Sequence, residues 1–570
     1  MEKPLISFKN FSFRYDSQVE STLNDINVDI YPNEKILILG PSGSGKSTFG
    51  KCLNGLIPEA YEGEFQGDVR LGDQALIGQT IGQLSYQVGT VLQDTSAQFV
   101  GLTVAEDMAF SLENDYMESS SMHQLVHQWM QEMDLLNLAN QSPQELSGGQ
   151  KQRVSMAGVL VDQPQILLFD EPLANLDPAS GYETMALIDR LQKETKTTVL
   201  IIEHRLEEVL SQSVDRILVF DQGRIIYDGE PQALLASDLL GKVGIREPLY
   251  LSAIKYAGLS VSELTEIDHV EEIQHPLLQE KLIQWNDKQF FDDKFETRDQ
   301  MLSLHEISYR YPFVDKAVMN NLSLDIHKGQ MISMVGTNGA GKTTLAKLIA
   351  GFLSPDLGNI KWYGQDMSQD TIQERAQRIG YVMQDPNQMI SQHMIYDEVA
   401  LGLRLRGMPE DDIRNHVYQA LLICGLYPFR EWPISALSFG QKKRVTIASI
   451  LVLSPQLLIL DEPTAGQDYK HYREFMEFIR SLNHKGMTII MITHDLQLML
   501  EYTDRCLVVT DGQLIADTTP FAVLTSKELT ELASLRPTSL YTLANRVGIK
   551  NPTDFVRNFI HYEREVMRNV

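Results

Sequence analysis

Cysteine is almost absent from this sequence. Three occur in 570 residues, Cys52, Cys424 and Cys506, far apart and never in a CxxC pair, which excludes a zinc site and an iron–sulfur cluster and leaves them as core thiols. Long apolar runs are missing too: none approaches the roughly 18 to 20 residues that span a bilayer. The opening residues, MEKPLISFKNFSFRYD, lack the basic segment followed by an apolar one that marks a secretory leader. The chain is therefore expected to stay in the cytoplasm and to reach a membrane only through a partner. Basic charge is in short supply, with 49 Lys and Arg against 76 Asp and Glu and a net charge of −27. Without a local basic stripe, that balance repels a nucleic-acid backbone and otherwise serves solubility. What is present is the composition of a soluble globular protein, 43% hydrophobic and 22% charged. Its length calls for roughly three or four folding units.

One design occurs twice. Ser147 of LSGGQKQR and Ser438 of LSFGQKKR lie 291 positions apart, as do Gln93 and Gln384 of VLQD and VMQD, and Glu171 and Glu462 of ILLFDEP and LLILDEP. Lys46 of GPSGSGKST and Lys342 of GTNGAGKTT are 296 apart, and His204 and His494 are 290 apart. Even IREPLYLSAIKYAGL (Ile245 to Leu259) resembles LRPTSLYTLANRVGI (Leu535 to Ile549). Ordered landmarks at a near-constant offset define two homologous halves. They are joined by HPLLQEKLIQWNDKQFFDDKFETRDQ, whose charge and scarcity of turn residues predict a partly helical connector rather than a Gly/Ser linker. KILILG and MISMVG read as short buried strands running into a Gly-rich loop and a helix. Later strands, QILLFD, TTVLIIE, QLLIL and MTIIMIT, alternate with helical stretches, the pattern of an α/β fold whose parallel sheet is covered on both faces.

The Gly-rich loops fit GxxxxGK[ST], the phosphate-binding loop. Gly40, Ser42, Gly43, Gly45, Lys46, Ser47 and Thr48 form it in the first half, and Gly336, Asn338, Gly339, Gly341, Lys342, Thr343 and Thr344 in the second. Glycines let the backbone wrap phosphates, and the following helix offers unpaired N–H groups and its positive dipole end. Lys46 and Lys342 are expected to reach the β- and γ-phosphates, and Ser47 and Thr343 to supply hydroxyl ligands to Mg²⁺. An apolar strand ending in Asp then Glu sets two carboxylates at the sheet edge where a nucleotide lies. Asp170 and Asp461 are candidate Mg²⁺ ligands, and Glu171 and Glu462 candidate general bases for the attacking water, with an acidic helix cap as the other reading. Gln93 and Gln384 are candidates to touch Mg²⁺ or water, or else ordinary polar loop residues. His204 and His494 either hydrogen-bond the γ-phosphate or are merely structural. Tyr15 and Tyr311, about 30 residues before the phosphate loops, either stack on adenine or are packed core tyrosines.

Taken together, these residues resemble the ATP-binding cassette (ABC) ATPases, whose signature motif is matched by LSGGQ (Leu146 to Gln150) and LSFGQ (Leu437 to Gln441). The resemblance implies two tandem P-loop domains, 1–240 and 301–525, each with a RecA-like parallel sheet core and a helical signature subdomain. A C-terminal extension and acidic connector would occupy 241–300, and a second extension 526–570. ATP and Mg²⁺ are the implied cofactors. Ser147, Gly148 and Gly149 would complete the ATP held by Lys342, and Ser438 and Gly440 the ATP held by Lys46, in an intramolecular head-to-tail pseudo-dimer. Phe439 replaces the usual glycine and is expected to add bulk near the ATP clamped by Lys46. The loops NLD (Asn175 to Asp177) and GQD (Gly466 to Asp468) differ but keep the aspartate. With Lys, Asp, Glu, Gln and His present in each half, two hydrolytic sites are expected.

Within that family the sequence is similar to the ATPases of energy-coupling factor (ECF) importers. QFVGLTVAEDMAFSLEN (Gln98 to Asn114), IEHRLEEVL (Ile202 to Leu210) and the two tails carry the likeness. It implies a transmembrane scaffold (T-type) protein and a small substrate-binding (S-type) membrane protein as partners, a peripheral location on the cytoplasmic face of the membrane, and no nucleic acid. The fused double form resembles the type assigned to hydroxymethylpyrimidine or thiamine uptake. A tandem ABC ATPase acting on ribosomes or nucleic acid is the alternative, opposed by the lack of basic arms or cysteine-rich domains.

Overall fold

The computed structural model describes residues 3–174, 176–289, 298–313, 316–464 and 467–568. Asn175, Gly466 and connector positions 290–297 lie outside the described residues. The chain divides into two compact units, 1–282 with 468–470, and 283–467 with 471–570.

In the first unit the runs Lys35–Leu39, Ile166–Asp170 and Thr198–Ile202, buried except for the half-buried Asp170, form the centre of a six-stranded sheet. Its order is Arg224–Gly229, Arg216–Asp221, Lys35–Leu39, Thr198–Ile202, Ile166–Asp170, Val88–Val91, with only the first pair antiparallel. Strands buried on both faces read as continuous apolar runs, which is why sequence shows them plainly. The second unit repeats the order with Gln513–Thr518, Arg505–Thr510, Met331–Val335, Thr488–Ile492, Leu457–Asp461 and Ile379–Val382.

Each unit also carries a four-stranded antiparallel sheet: Leu23–Ile30, Ile6–Tyr15, Gly63–Leu71 and Gln74–Ala75 in the first, and Met319–His327, Gln300–Tyr309, Leu357–Trp362 and Gln365–Asp366 in the second. The apolar alternation of its long strand slips once, because a bulge lies between Phe8 and Phe11 and another between Leu304 and Ile307. Asn10 and Glu306 take the left-handed turn there, at φ 47° and 52°. This sheet and the six-stranded one pack together on the helix that follows the phosphate loop: the rings of Phe8, from the antiparallel sheet, and Phe220, from Arg216–Asp221, lie 4.7 and 5.3 Å from the Phe49 ring.

Three helices carry the signature in each unit, Val104–Asn114, Ser119–Glu132 and Gly148–Leu160, then Ile395–Leu405, Glu410–Ile423 and Phe439–Leu451. The matching tails form the helices Leu249–Tyr256 and Ser539–Arg546. The connector is helical over Leu278–Lys288, where Trp285 packs edge-on to Phe555 and Tyr562 of the last helix, Pro552–Arg568. Among the described residues no helix is long and apolar enough to cross a membrane.

Candidate active site

The phosphate loops owe their shape to glycine. Gly45 opens the helix Lys46–Leu53 at φ 104°, and a Cβ there would stand 2.9 Å from the Thr22 carbonyl; Gly341, at φ 99°, would drive one to 2.1 Å from the Met319 methyl. Lys46 Nζ donates to the carbonyls of Gly40 and Pro41 at 2.8 and 2.9 Å, and Lys342 Nζ to those of Gly336 and Thr337 at 2.6 and 2.9 Å. Burial pushes the Lys46 ammonium down to about 8, and the Glu171 carboxylate works against that shift. In the first unit the loop opens on a cleft of about 990 Å³, lined among others by Tyr15, Lys46, Ser47, Thr48, Glu171 and His204.

Beside each lysine, a hydroxyl meets a carboxylate. Ser47 Oγ donates to Asp170 Oδ1 at 3.3 Å, and Thr343 Oγ1 to Asp461 Oδ2 at 3.0 Å. One hydroxyl and one carboxylate fit Mg²⁺, a hard cation usually held by one or two protein oxygens plus phosphate and water. Burial, helped by the Glu171 charge, raises Asp170 above the usual carboxylate range, with the Ser47 hydrogen bond opposing. Tyr381 Oη also donates to Asp461 Oδ2, at 2.9 Å. Sequence reasoning passed over Tyr381, whose position in the strand is held in the first unit by Thr90.

The next residue, Glu171 or Glu462, turns into the left-handed region at φ 52° or 44°. Its N–H donates to the Ile202 or Ile492 carbonyl at 2.8 or 2.9 Å, so the neighbouring strand supports a conformation that a non-glycine residue adopts at a cost. In the first unit the candidate trio comes together: Gln93 Nε2 donates to Glu171 Oε2 at 2.6 Å, and His204 Nε2 lies 2.9 Å from Oε1. Burial alone would raise the Glu171 carboxyl, but the His204 contact and the Lys46 charge hold it below its ordinary value. In the second unit His494 Nε2 stands 3.6 Å from Glu462 Oε1, and Gln384 is exposed just past the strand Ile379–Val382.

Tyr15 and Tyr311 are half-buried, each with its hydroxyl 3.1 or 3.2 Å from Thr48 or Thr344 Oγ1 on the phosphate-loop helix. The neighbouring Tyr309 is the core residue. At the signature, Ser147 Oγ accepts from the Gln150 N–H, and Gln150 Oε1 accepts from the Ser147 N–H at 3.0 Å. Ser438 and Gln441 repeat this. The motif is thus a helix capping box, legible as S-x-x-Q. A Cβ at Gly440 would meet nothing within 4 Å among the described residues, and one at Gly149 only ordinary contact with Ser180. Each unit's own packing leaves both glycines unexplained.

Further along that helix the halves diverge. Lys443 is buried and its Nζ donates to the carbonyls of Glu462 and Pro463 at 3.0 and 2.9 Å, while the Phe439 ring lies over it at 5.3 Å. Burial pushes this ammonium down to about 8. Gln152 holds the same position in the first unit, also buried, and its Nε2 has no partner among the described residues.

A family model described as ABC transporter matches residues 23–174 and 319–465. Another, described as ATP-binding cassette cobalt transporter, matches 237–309, and an AAA domain model matches 430–501. A protein of Enterococcus faecalis named "Putative ABC transporter ATP-binding protein" is 57% identical over 99% of this chain and 100% of its own length. Proteins so named from Lactiplantibacillus plantarum and Staphylococcus aureus are 53% and 51% identical, over 99% and 100% of this chain and 100% of their own. Among solved structures, CbiO1 of Clostridium perfringens, described as part of the ABC transporter complex CbiONQ, is 35% identical. It covers 41% of this chain and 94% of its own, with a TM-score of 0.38.

Proposed function

The chain belongs to the ABC transporter ATP-binding family and is an ATPase, and from that premise we propose that it is the energy-coupling subunit of a prokaryotic ECF-type importer. The observation that carries the transport reading is the loop after Gln93. Val100 and Leu102 are 60% and 82% exposed, and Phe110 on the following helix and Tyr116 just past its end are exposed as well. Asp107 Oδ1 fixes the loop by accepting from the Val100 and Gly101 N–H groups at 2.7 and 2.9 Å. Exposed apolar side chains on a loop fixed in this way suit contact with a membrane scaffold's cytoplasmic helix. Movement there would draw on Gln93 and so on the Glu171 carboxylate it grips.

In this reading the phosphate loops and Lys46 or Lys342 hold the ATP phosphates, and Tyr15 or Tyr311 meets the adenine. Ser147 with Gly148 and Gly149, and Ser438 with Gly440, close over the opposite nucleotide, which accounts for glycines that local packing does not require. Mg²⁺ would be held by Ser47 and Asp170 or Thr343 and Asp461, with Gln93 or Gln384 as a further ligand, and would supply charge neutralisation for the phosphates. Glu171, once released by Gln93, takes a proton from water as its oxygen bonds to the γ-phosphorus and the bond to the departing ADP breaks. His204 orients that carboxylate. Glu462 and His494 act in the same way.

A T-type scaffold and an S-type solute-binding protein complete the assembly on the cytoplasmic face of the membrane. For the solute, likeness to the fused form supports thiamine or hydroxymethylpyrimidine. A transition-metal ion is the second reading, favoured by the cobalt description of the model matched at 237–309. The test is to purify the tagged chain from its host's membranes in mild detergent, identify its companions, and measure uptake of labelled thiamine, hydroxymethylpyrimidine and Co²⁺. A polytopic scaffold with a small hydrophobic protein is expected; ribosomal proteins would instead support the nucleic-acid alternative.

A further inference from the structure

The signature helix of the second cassette reaches its own acidic turn, and the reach is made by one buried cation. Lys443 bonds the carbonyls of two successive residues, Glu462 and Pro463, and so fixes the peptide planes leaving the residue that turns left-handed at φ 44°. Bonds from an ammonium to peptide oxygens are charge-assisted and stronger than neutral ones. On its other side Lys443 faces Phe439, the signature residue that departs from glycine, at cation–π distance. Gln152 makes no such tie from its amide nitrogen among the described residues.

We infer that Lys443 is a positioning residue for hydrolysis in the second cassette, holding the Glu462 turn to the signature helix so that the carboxylate is presented in one orientation. The inference rests on the proposed role of Glu462 as general base. It places the orienting contact on the backbone of Glu462, whereas His204 and Gln93 orient Glu171 through its side chain. Lys443, whose ammonium is spent on the two carbonyls, acts through the turn.

The full chain is assayed for ATP turnover as the parent and as Lys443→Gln, Lys443→Arg and Lys443→Met. The glutamine variant carries the residue already accommodated, buried, at the matching place in the first cassette, so it is expected to fold. A displaced catalytic group lowers the chemical step rather than substrate binding, and the first cassette keeps its own carboxylate, so Lys443→Gln, slowing the second cassette about tenfold, is expected to bring the chain's total kcat down to about half with KM for ATP within about twofold. Lys443→Arg, which keeps the cationic donors, is expected to restore most of kcat, and Lys443→Met to match the glutamine variant. Glutamine and methionine variants with parental kcat would overturn the inference, as would losses in all three that simply follow a lowered melting temperature. If the parent itself does not hydrolyse ATP, the proposed function fails; if only the variants behave otherwise, the inference alone fails.

Discussion

In the first cassette the Glu171 carboxylate is gripped at both oxygens, by Gln93 at 2.6 Å and His204 at 2.9 Å, whereas in the second Glu462 stands 3.6 Å from His494 and its carbonyl is taken by Lys443. Neighbouring positions diverge as well. Gln98 spans the Thr90 carbonyl, the Leu92 N–H and Ser155 Oγ, while at the matching place Met389 offers its sulfur to the Met383 N–H. The motif letters are nearly the same in both halves, so the difference lies in residues a few positions outside them. These set which contacts each strand end makes and how the strand-to-loop junction meets the signature helix.

The largest expected effect bears on what the halves share. Combining Glu171→Gln with Glu462→Gln is expected to lower ATP turnover by about 10²- to 10⁴-fold, the usual worth of a positioned base, while nucleotide binding persists. Phosphate release and equilibrium binding of labelled ATP check this; parental turnover would remove the basis for comparing the two sites.

A second pair of variants sharpens the Gln152 and Lys443 contrast. Lys443→Met takes the ammonium away from the Glu462 carbonyl and leaves the Pro463 carbonyl the Gln467 amide at 3.2 Å, and is expected to cost about 1–3 kcal/mol. Gln152→Met removes a buried amide whose nitrogen has no partner among the described residues and is expected to be neutral or mildly stabilising. Thermal melts of the full chain distinguish them, and equal losses would show that the two positions are equivalent. Smaller still is the contrast at the bulges. Glu306→Gly is expected to stabilise by up to about 1 kcal/mol, and Asn10→Gly to change little, because asparagine already tolerates the left-handed region. Denaturant titrations that reverse this order would contradict the strain assigned to Glu306.

The smallest effect is an expected silence. Cys52, Cys424 and Cys506 are buried thiols; burial pushes Cys424 and Cys506 up to about 12 and Cys52 higher. Native protein at mildly alkaline pH is expected to leave all three unlabelled by a thiol reagent until denaturant is added, since the thiolate is the reactive form. Rapid labelling of one cysteine would mark its cassette as locally open.

Much of this site could be read before the fold was known, because its chemistry sits in contiguous motifs. Gly45 and Lys46, Asp170 and Glu171, and Ser147 each announce themselves within a few residues of a buried strand or helix start. The antiparallel sheets were hidden by the bulges at Asn10 and Glu306, which shift the apolar alternation by one residue in mid-strand. The capping role of Ser147 and Ser438 was legible in S-x-x-Q, yet overshadowed by the glycines between. Tyr381 and Lys443 could not be read at all: their partners, Asp461 and Glu462, are 80 and 19 positions away. Only the packing of the strand Ile379–Val382 and of the signature helix against the acidic turn brings them together. The connector's helical character followed from its composition, but its seat on Phe555 and Tyr562 did not.

The central claim is that both cassettes hydrolyse ATP. The most direct test loads the full chain with labelled ATP without divalent cation, adds Mg²⁺ together with excess unlabelled ATP, and counts labelled ADP formed per chain in the first turnover. Two per chain is the predicted result. One per chain, abolished by Glu171→Gln or by Glu462→Gln but not by both alike, would contradict it.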